Sequence, residues 1–443
     1  MSKKVALHNL GCKVNAYEVE AMQQLLEKAG YEIVPFEEGA DIYLINTCTV
    51  TNIADRKSRQ MLHKAKKMNP NAIVVATGCY VQTDTQKLEE DSAVDLILGN
   101  NQKKQIVEAL EEYEKEHTKK VKVIEINKTK EYEDLSIGYT AEHVRAYIKV
   151  QDGCNQFCTY CIIPYARGRV RSRKIAEVLD EVRALAARGY KEVVLTGIHL
   201  SSYGVDFKEE ERESLLSLIQ AVHEMEGIQR IRLGSLEPRI ITEEFMEGIS
   251  SLPKVCPHFH LSLQSGCDKT LRNMNRRYSA AEYAEKCELI RKFYPSPALT
   301  TDVIVGFPME TEEDFEESYE FVKNIHFYET HIFKYSRRQG TKAAVMEGQL
   351  TEAVKSIRSE KMIALHEIRA KEYETSMIGK TLELLLEEEV EINGKTYFMA
   401  HSKEYVRAVI EKTKDRKVND LVRAKAVDFA DEHVLLAICE ELY

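Results

Sequence analysis

Short apolar runs alternate with amphipathic helical segments along most of this chain, and this alternation restricts the fold more than any other feature. In the first 113 residues the predicted strands are Val5–His8, Ile42–Ile45, Ile73–Ala76 and Leu96–Leu98, and the predicted helices are Ala16–Ala29, Ile53–Met68 and Lys103–Tyr113. Parallel strands need a crossover connection, which is usually a helix. Residues 1–113 are therefore predicted to form an α/β domain with a parallel sheet.

A second alternation fills residues 144–375. Its predicted strands are Ala146–Val150, Glu192–Leu195, Ile231–Leu233, Phe259–Leu263, Leu299–Val305 and His331–Phe333, with helices between them. Six strand-helix units predict a partial or full parallel barrel. Residues 114–143 are charged and irregular, apart from a possible strand at Val121–Ile126, and are predicted to connect the two domains.

The tail, residues 376–443, alternates apolar and polar positions at the period of a β-strand. Several short strands of this kind predict a small antiparallel β-barrel. A chain of 443 residues is long enough for three such domains. With 44% hydrophobic and 30% charged residues, it is not a chain that is disordered throughout.

Net charge and hydropathy limit which partners and which cellular compartment we expect for the protein. The 62 basic and 72 acidic residues give a net charge of −10, which argues against coating nucleic acid by bulk electrostatics but leaves local basic patches possible. No apolar run reaches the roughly 18 residues of a membrane span, and no signal-peptide pattern opens the chain. We expect a cytoplasmic protein without a membrane partner, in which the ten cysteines are mostly reduced.

Three cysteines follow the first predicted barrel strand at CxxxCxxC spacing, namely Cys154, Cys158 and Cys161. Thiolates this close on one loop can hold the corner of an iron–sulfur cubane, and three ligands leave one iron open for chemistry. The alternative is a zinc knuckle. It needs a fourth ligand, and no nearby Cys or His supplies one.

Three further cysteines, Cys12, Cys48 and Cys79, each follow a predicted strand of the first sheet. The carboxyl ends of parallel strands share one edge, so these thiols are predicted to converge and hold a second cluster. Three separately buried thiols are the alternative. The remaining cysteines lack partner spacing and are interpreted as core or surface thiols; they are Cys256, Cys267, Cys287 and Cys439.

Two basic segments are candidate anion-binding sites. Arg167, Arg169 and Arg171 follow the cysteine loop, where guanidinium groups could bind RNA phosphates or a cofactor carboxylate. A predicted loop of the tail carries Lys412, Lys414, Arg416 and Lys417, which could bind RNA phosphates. Ion pairs with the many acidic residues are the alternative for the arginines.

The CxxxCxxC loop, with Tyr160 before its third cysteine, resembles the radical S-adenosylmethionine superfamily. The resemblance implies that S-adenosylmethionine chelates the open iron, that its reductive cleavage gives a 5′-deoxyadenosyl radical, and that Tyr160 contacts the adenine. By analogy, further cofactor contacts fall at strand ends, at Gly197, Glu237, Gln264 and Gly306. Met309 departs from the glycine expected after Gly306-Phe-Pro.

The two triads and the β-tail together resemble the methylthiotransferase family of that superfamily over essentially the whole chain. This implies an N-terminal methylthiotransferase domain, a radical barrel, a C-terminal TRAM domain and two 4Fe-4S clusters. One S-adenosylmethionine would methylate a sulfur on the first cluster, and a second would provide the radical.

The form Gly11-Cys-Lys-Val-Asn is similar to the branch acting on N6-threonylcarbamoyladenosine at position 37 of tRNA, whereas the isopentenyladenosine branch usually has Gln and Met in place of Lys13 and Val14. The implied partners are tRNA, an electron donor such as a flavodoxin or ferredoxin, and an unknown sulfur donor. Isopentenyladenosine or a ribosomal-protein aspartate are alternative acceptors. An iron–sulfur RNA-binding regulator without catalysis is the alternative outside the enzymes.

Overall fold

The computed structural model describes residues 2–140 and 144–439. The first unit is a six-stranded sheet with all strands parallel, in the order β2-β1-β3-β4-β5-β6, as the alternation predicts. Its elements are β1 (Lys4–Asn9), α1 (Lys13–Lys28), β2 (Glu32–Val34), β3 (Ile42–Thr47), α2 (Asn52–Met68), β4 (Ile73–Gly78), α3 (Cys79–Thr83), α4 (Thr85–Glu90), β5 (Leu96–Leu98), α5 (Ile106–Glu116) and β6 (Lys120–Lys122).

The strand expected at Val121–Ile126 overlaps β6 only at Val121 and Lys122, and Ile126 instead begins a 3-10 turn; β6 pairs with β5 as an edge strand of the first sheet. Part of the segment predicted to be a connection therefore belongs structurally to the first unit. The central strand β3 is buried along its whole length, because helices cover both faces of the sheet.

The second unit contains β7 (Arg145–Asp152), α6 (Ile163–Arg167), β8 (Arg171–Ser172), α7 (Ile175–Ala187), β9 (Glu192–Gly197), α8 (Leu215–His223), β10 (Arg230–Leu233), α9 (Glu243–Ser250), β11 (His258–His260), α10 (Asp268–Asn273), α11 (Ala280–Phe293), β12 (Ala298–Val305), α12 (Glu312–Ile325), β13 (Glu329–Lys334) and α13 (Glu352–Thr375). β7, β9 and β10 pair in parallel, as do β11, β12 and β13. Parallel bridges from Ile231 to Val255 and from Leu236 to Leu261 join the two sheets. Within the described residues β13 does not pair with β7, so the barrel is partial.

Alternate residues of the barrel strands face opposite sides. On β12, Leu299, Val303 and Val305 join the large core beneath the outer helices. Thr300 and Asp302 lie on the other face, where both contact His260 of β11. The concave side of the barrel is therefore a polar lumen.

The third unit is the small closed barrel predicted for the tail. It contains β14 (Thr381–Ile392), β15 (Lys395–Ser402), β16 (Arg407–Glu411), β17 (Leu421–Asp431) and β18 (Val434–Cys439), in the order β14-β15-β16-β18-β17. All neighbours are antiparallel except β16 and β18. This unit packs against the amino ends of the large barrel's strands, where Arg230 Nε donates to Glu383 Oε1 at 2.9 Å.

The first unit spans the open side of the partial barrel. On one side α1 packs against β7. On the other, Arg338 from the loop after β13 donates to Asp55 Oδ2 at 2.6 Å and to Thr49 Oγ1 at 2.7 Å. Both edges of the barrel thus contact the unit that carries the first cysteine triad. No helix of the described residues is long and apolar enough to cross a membrane.

Candidate active site

Cys12, Cys48 and Cys79 lie at the carboxyl ends of three adjacent strands. Cys12 caps the start of α1, Cys48 directly follows β3, and Cys79 begins α3 directly after β4. The strands are in parallel register, so their ends lie side by side. A Cβ built on Gly11 would lie 3.2 Å from Cys48 Sγ, so the backbone before Cys12 passes very close to the second cysteine.

The pKa values of Cys12 and Cys48 reflect the surroundings of their thiols. Burial raises the pKa of Cys12, although this residue keeps contact with solvent. Burial, reinforced by the neighbouring Cys79, raises the pKa of Cys48 to about 11. These thiols become thiolates readily only when a cation binds them. One protein cation contacts the triad directly, since Arg167 Nε donates to Cys79 Sγ at 3.2 Å.

Arg167 is fully buried at the junction between the first sheet and the barrel. Its guanidinium group donates to Glu18 Oε1 at 2.8 Å, to Asn15 Oδ1 at 2.6 Å and to Asp152 Oδ1 at 3.2 Å. Glu18 also pairs with two buried lysines, Lys103 and Lys149. This buried ion network holds the two units in one position relative to each other.

The expectation that Arg167 and Arg171 bind RNA is wrong. Arg171 is also buried, pairs with Asp152 at 3.6 Å and donates to the backbone oxygens of Arg167 and Arg169. Ion pairing with acidic residues, the alternative, is what the structure contains. Arg169 differs because it is exposed, with its guanidinium carbon 4.5 Å from the ring centre of Phe157.

Cys154, Cys158 and Cys161 lie on the loop directly after β7. A Cβ on Gly153 would lie 1.9 Å from the carbonyl oxygen of Arg169, so the tight entry to this loop requires glycine. Burial raises the pKa of Cys154 to about 11 and that of Cys161 to about 12. Arg276 Nη1 donates to Cys158 Sγ at 3.4 Å, so each triad has one arginine on one thiol.

The spread of the sulfur atoms tests what each triad could hold. A single zinc ion draws its ligands into a compact tetrahedron. In the described residues, the only group of three metal-type ligands with atoms within 4.8 Å of one another is His260, Asp302 and His331, so neither triad is that compact. Three sulfur ligands with larger separations between their atoms fit a 4Fe-4S cluster better than a zinc ion.

A cavity of about 200 Å³ lies beside the second triad and reaches the chain segment that follows Cys48. Its lining includes Val50 and Thr51, just after Cys48, together with Tyr160 and Cys161 of the cysteine loop. Gln264, which adopts a left-handed φ of 74°, and Asp302 also line this cavity. Such a backbone conformation in a residue other than glycine is typical of functional sites.

The structure places the predicted cofactor contacts unevenly. Tyr160 and Gln264 line the cavity. The Glu237 carboxylate lies outside its lining and pairs with Arg239 at 2.8 Å. Gly197 and Gly306 also lie outside it, and added Cβ atoms there would meet Gln151 and Lys355, so side-chain packing already explains both glycines.

The polar lumen continues from this cavity. His260 Nδ1 lies 3.0 Å from Thr300 Oγ1, His260 Nε2 lies 3.2 Å from Asp302 Oδ2, and the rings of His260 and His331 stack with centres 5.6 Å apart. His260, Thr300, Asp302 and His331 were not predicted as site residues from the sequence. The sequence contains a pattern that could have indicated them. Polar residues at alternate positions of the predicted barrel strands indicate a hydrated inner face.

The basic residues of the tail lie in the predicted loop, between β16 and β17. Lys412, Lys414 and Lys417 are exposed and Arg416 is half-buried. Lys412 pairs with Glu389 at 2.5 Å on the surface. Cys256, Cys267 and Cys287 are buried and Cys439 is half-buried, as expected of core and surface thiols.

Two protein families match the chain: residues 4–99 match the one described as "Uncharacterized protein family UPF0004" and residues 148–322 the "Radical SAM superfamily". Relatives named threonylcarbamoyladenosine tRNA methylthiotransferase MtaB are 42% identical in Bacillus subtilis, over 95% of this chain and 93% of the relative, and 44% identical in Aquifex aeolicus, over 89% and 95%. A tRNA-2-methylthio-N(6)-dimethylallyladenosine synthase of Thermoanaerobacter pseudethanolicus is 36% identical over 86% and 81%.

Among solved structures, the radical S-adenosylmethionine methyltransferase TsrM of Kitasatospora setae is similar with a TM-score of 0.59 and 16% identity, covering 78% of this chain and 77% of that one. At this identity the likeness concerns the fold alone. The long alignments to the MtaB proteins, the two matching domains and the two cysteine triads agree with one another. The chain belongs to the methylthiotransferase family of radical S-adenosylmethionine enzymes, in its threonylcarbamoyladenosine branch.

Proposed function

We propose that this chain replaces the C2 hydrogen of N6-threonylcarbamoyladenosine, at position 37 of tRNA, with a methylthio group. The observation that carries the proposal is a cavity lined both by Cys161 of the second triad and by Val50 and Thr51, which closely follow Cys48 of the first triad, because the reaction needs a radical source and a sulfur source at one carbon atom. Identity of 42–44% to proteins named for this reaction supports the same conclusion.

The cofactors of this reaction are S-adenosylmethionine and two 4Fe-4S clusters, one for each triad. When bound, they supply the radical that removes the C2 hydrogen and the methylated sulfur that replaces it. Cys12, Cys48 and Cys79 would hold one cluster, and Cys154, Cys158 and Cys161 the other. No side-chain base could remove this hydrogen at neutral pH, so the task of the protein is to bind, position and exclude water.

The chain's own residues prepare the site for these groups. Arg167 and Arg276 each direct an N–H to one sulfur, which stabilises negative charge on the thiolates. Tyr160 packs edge-on against Phe307 with ring centres 6.4 Å apart, so its ring is held as one wall of the cavity where the adenine would lie. Gln264 also lines this cavity and would offer its amide to the cofactor.

Because Arg167 and Arg171 are buried, we assign RNA binding near the cysteine loop to exposed residues, namely Arg169 and the aromatic residues beside it. Arg169 covers Phe157, and the Phe157 ring contacts Tyr165 with centres 5.8 Å apart. Tyr165 is 41% exposed, so this group offers a cation and aromatic faces on which an unpaired base could stack. The tail residues Lys412, Lys414, Arg416 and Lys417 would add phosphate contacts that do not depend on base sequence.

The decisive experiment is an anaerobic assay on anticodon stem-loops that carry threonylcarbamoyladenosine or isopentenyladenosine. Nucleoside mass spectrometry should detect the methylthio product from the first RNA only. Product from the second RNA alone would show that the enzyme acts on isopentenyladenosine instead. A protein that forms no 5′-deoxyadenosine with reductant and S-adenosylmethionine would instead be an RNA-binding regulator.

Two triple variants separate the clusters. The unaltered protein should hold about eight irons after reconstitution. Replacement of Cys154, Cys158 and Cys161 by Ala should leave roughly half of the iron and abolish cofactor cleavage. Replacement of Cys12, Cys48 and Cys79 by Ala should allow cofactor cleavage without methylthiolation. Full product from the latter variant would contradict the assigned sulfur platform.

The tail is tested by RNA binding alone. Changing Lys412, Lys414, Arg416 and Lys417 to Ala should weaken tRNA binding and flatten its dependence on salt, because fewer counterions are then released. Cofactor cleavage without RNA should continue at its normal rate. An unchanged affinity and slope would leave RNA recognition to the Arg169 group.

The reducing partner and the sulfur donor complete the proposal. A flavodoxin or ferredoxin would deliver single electrons to the second cluster, and the sulfur donor has no signature in this sequence. Because its substrate is tRNA, we place the enzyme in the cytoplasm. Pull-down of a reduced flavodoxin or ferredoxin, with electron transfer followed optically, tests the first of these partners.

A further inference from the structure

Two histidines and two carboxylates lie on the lumen face of β11, β12 and β13. In the parallel register, Thr300 of β12 lies between His260 of β11 and Glu329 of β13. Two residues further along, Asp302 of β12 lies beside His331 of β13. Alternate residues of a strand share a face, so these side chains belong to one wall of the lumen.

The distances between three of these side chains fit the ligand sphere of a metal ion. His260, Asp302 and His331 each offer one ligand atom, and these atoms lie within 4.8 Å of one another. His260 Nε2 lies 3.2 Å from Asp302 Oδ2. Neighbouring ligand atoms that are each about 2.1 Å from a Zn²⁺ ion lie roughly 3.0–3.4 Å apart. The first two ligands therefore already have the separation that one shared ion requires.

His331 can complete this set without breaking an existing hydrogen bond. Its ring stacks on that of His260, with centres 5.6 Å apart and 23° between the ring planes. Within residues 2–140 and 144–439, its ring nitrogens form no hydrogen bond with another protein group, and the residue is exposed. A change of side-chain rotamer is therefore enough to bring one of these nitrogens toward the other two ligand atoms.

His260 already has the orientation that a metal ligand needs. Its Nδ1 lies 3.0 Å from Thr300 Oγ1, so this nitrogen has a partner of its own while Nε2 faces Asp302. Metal-binding histidines usually have such a partner on the second ring nitrogen, which fixes the ring and its tautomer. A simple hydrogen bond between His260 and Asp302 is the alternative, and it gives no role to His331.

The charge of this wall also favours a bound cation. Among the residues that the structure describes, no Lys or Arg nitrogen lies within 4.0 Å of a carboxylate oxygen of Asp302 or Glu329. Asp302 pairs only with His260, and Glu329 is half-buried. Carboxylates that are withdrawn from water are stabilised by a paired cation or by a metal ion. A divalent ion would balance both negative charges.

We propose that His260, Asp302 and His331 bind one divalent transition-metal ion, such as Zn²⁺, Fe²⁺ or Mn²⁺, in the barrel lumen. Imidazole nitrogens favour these ions, whereas Mg²⁺ and Ca²⁺ prefer oxygen ligands alone. Three protein ligands leave coordination positions open. Because Asp302 also lines the cavity beside Cys161, an oxygen-bearing group of a molecule in that cavity could occupy one of them. Metal binding at this site does not depend on the proposed reaction.

The test titrates Mn²⁺ into reconstituted protein under anaerobic conditions, with both clusters in the oxidised state. Mn²⁺ is chosen because thiolates bind it weakly, and the oxidised clusters give no electron paramagnetic resonance signal. Free Mn²⁺ is measured from its signal at room temperature. The unaltered protein should bind one Mn²⁺ per chain, and Zn²⁺ should displace it because such sites bind Zn²⁺ more tightly. A protein that binds no Mn²⁺ at millimolar concentration would overturn the proposal.

Three variants locate the bound ion. His331→Ala and Asp302→Asn each remove one ligand and should weaken Mn²⁺ binding at least tenfold, and Thr300→Val, which removes only the partner of His260 Nδ1, should weaken it about tenfold. Unchanged affinity in both His331→Ala and Asp302→Asn would overturn the proposal, because the ion would then lie elsewhere.

His63→Ala is the matched control. His63 Nε2 lies 2.7 Å from Asp91 Oδ2 on the surface, so it forms a similar pair, but no third ligand completes it among the described residues. This variant should bind Mn²⁺ as tightly as the unaltered protein. Equal weakening by His63→Ala and His331→Ala would contradict the assigned site.

The iron content of each variant is measured first, and a second measurement needs no variant. Pulsed electron paramagnetic resonance of Mn²⁺ bound to the unaltered protein should show coupling to imidazole nitrogen, because two of the three ligands are histidines. If His331→Ala and Asp302→Asn lose iron, this spectrum decides the question. A bound ion without nitrogen coupling would be held by oxygen atoms alone and would overturn the proposal.

Discussion

The two cysteine triads have the same donor atoms but are built in different ways. Cys154, Cys158 and Cys161 lie within eight residues of one loop, whose shape depends on local features such as Gly153. The other triad, Cys12, Cys48 and Cys79, is assembled from three strand ends. Its position relative to the barrel depends on long-range contacts. The CxxxCxxC site is therefore encoded by local sequence, whereas the site of Cys12, Cys48 and Cys79 depends on tertiary structure. Distant substitutions should damage only the site of Cys12, Cys48 and Cys79.

The largest effect is expected at the buried ion network. Glu18→Gln removes one carboxylate and leaves Lys103, Lys149 and Arg167 with less compensation, which should lower the free energy of unfolding by about 3–5 kcal/mol. The iron of the first triad should be lost, leaving about half of the total. Chemical denaturation and iron analysis measure both effects.

Glu116→Gln is the matched control for this change. Glu116 pairs with Lys120 on the surface, and exposed pairs contribute little. Stability and iron content should therefore stay within error of the unaltered protein. If Glu18→Gln lost the second cluster and kept the first, this would contradict the claim that only the first cluster depends on contacts between distant residues.

The next effect is expected at the other edge of the barrel. Arg338→Met removes the donors to Asp55 and Thr49, of which Thr49 directly follows Cys48. We expect a loss of about 2–3 kcal/mol in the free energy of unfolding and partial loss of the first cluster only. Arg183→Met, at an exposed pair with Asp180, serves as the control. Electron paramagnetic resonance of the reduced protein distinguishes the two clusters.

This comparison also explains what could be predicted from the sequence. Strand and helix periodicity predicts the three architectures, because alternation reflects local burial. The CxxxCxxC loop is local and was predicted with its three ligands. The burial of Arg167 was not predictable, because its partners Glu18 and Asn15 lie about 150 residues away.

A smaller effect should appear in the reduction potentials. Lysine keeps the charge of arginine but loses its planar donor fork, so Arg167→Lys should weaken the N–H bond to Cys79. Hydrogen bonds to cluster sulfurs raise the potential, so that of the first cluster should fall by an amount on the order of tens of millivolts. Arg276→Lys should lower only the potential of the second cluster, through Cys158. Equal shifts of both clusters in either variant would show that the sites are electronically linked.

The smallest effect is expected at Met309, where the chain departs from the glycine expected after Gly306-Phe-Pro. Met309 adopts a left-handed φ of 64° and its N–H donates to the carbonyl of Gly348 at 2.9 Å. Met309→Gly relieves this backbone strain and removes a side chain that is already 40% exposed, so the free energy of unfolding should rise by about 0.5–1 kcal/mol. Thermal unfolding measures the gain. Because the second triad is encoded by its own loop, iron content and cofactor cleavage should not change, even though the neighbouring Phe307 packs against Tyr160. A change in cofactor cleavage with this variant would mean that the second site, too, depends on distant backbone geometry.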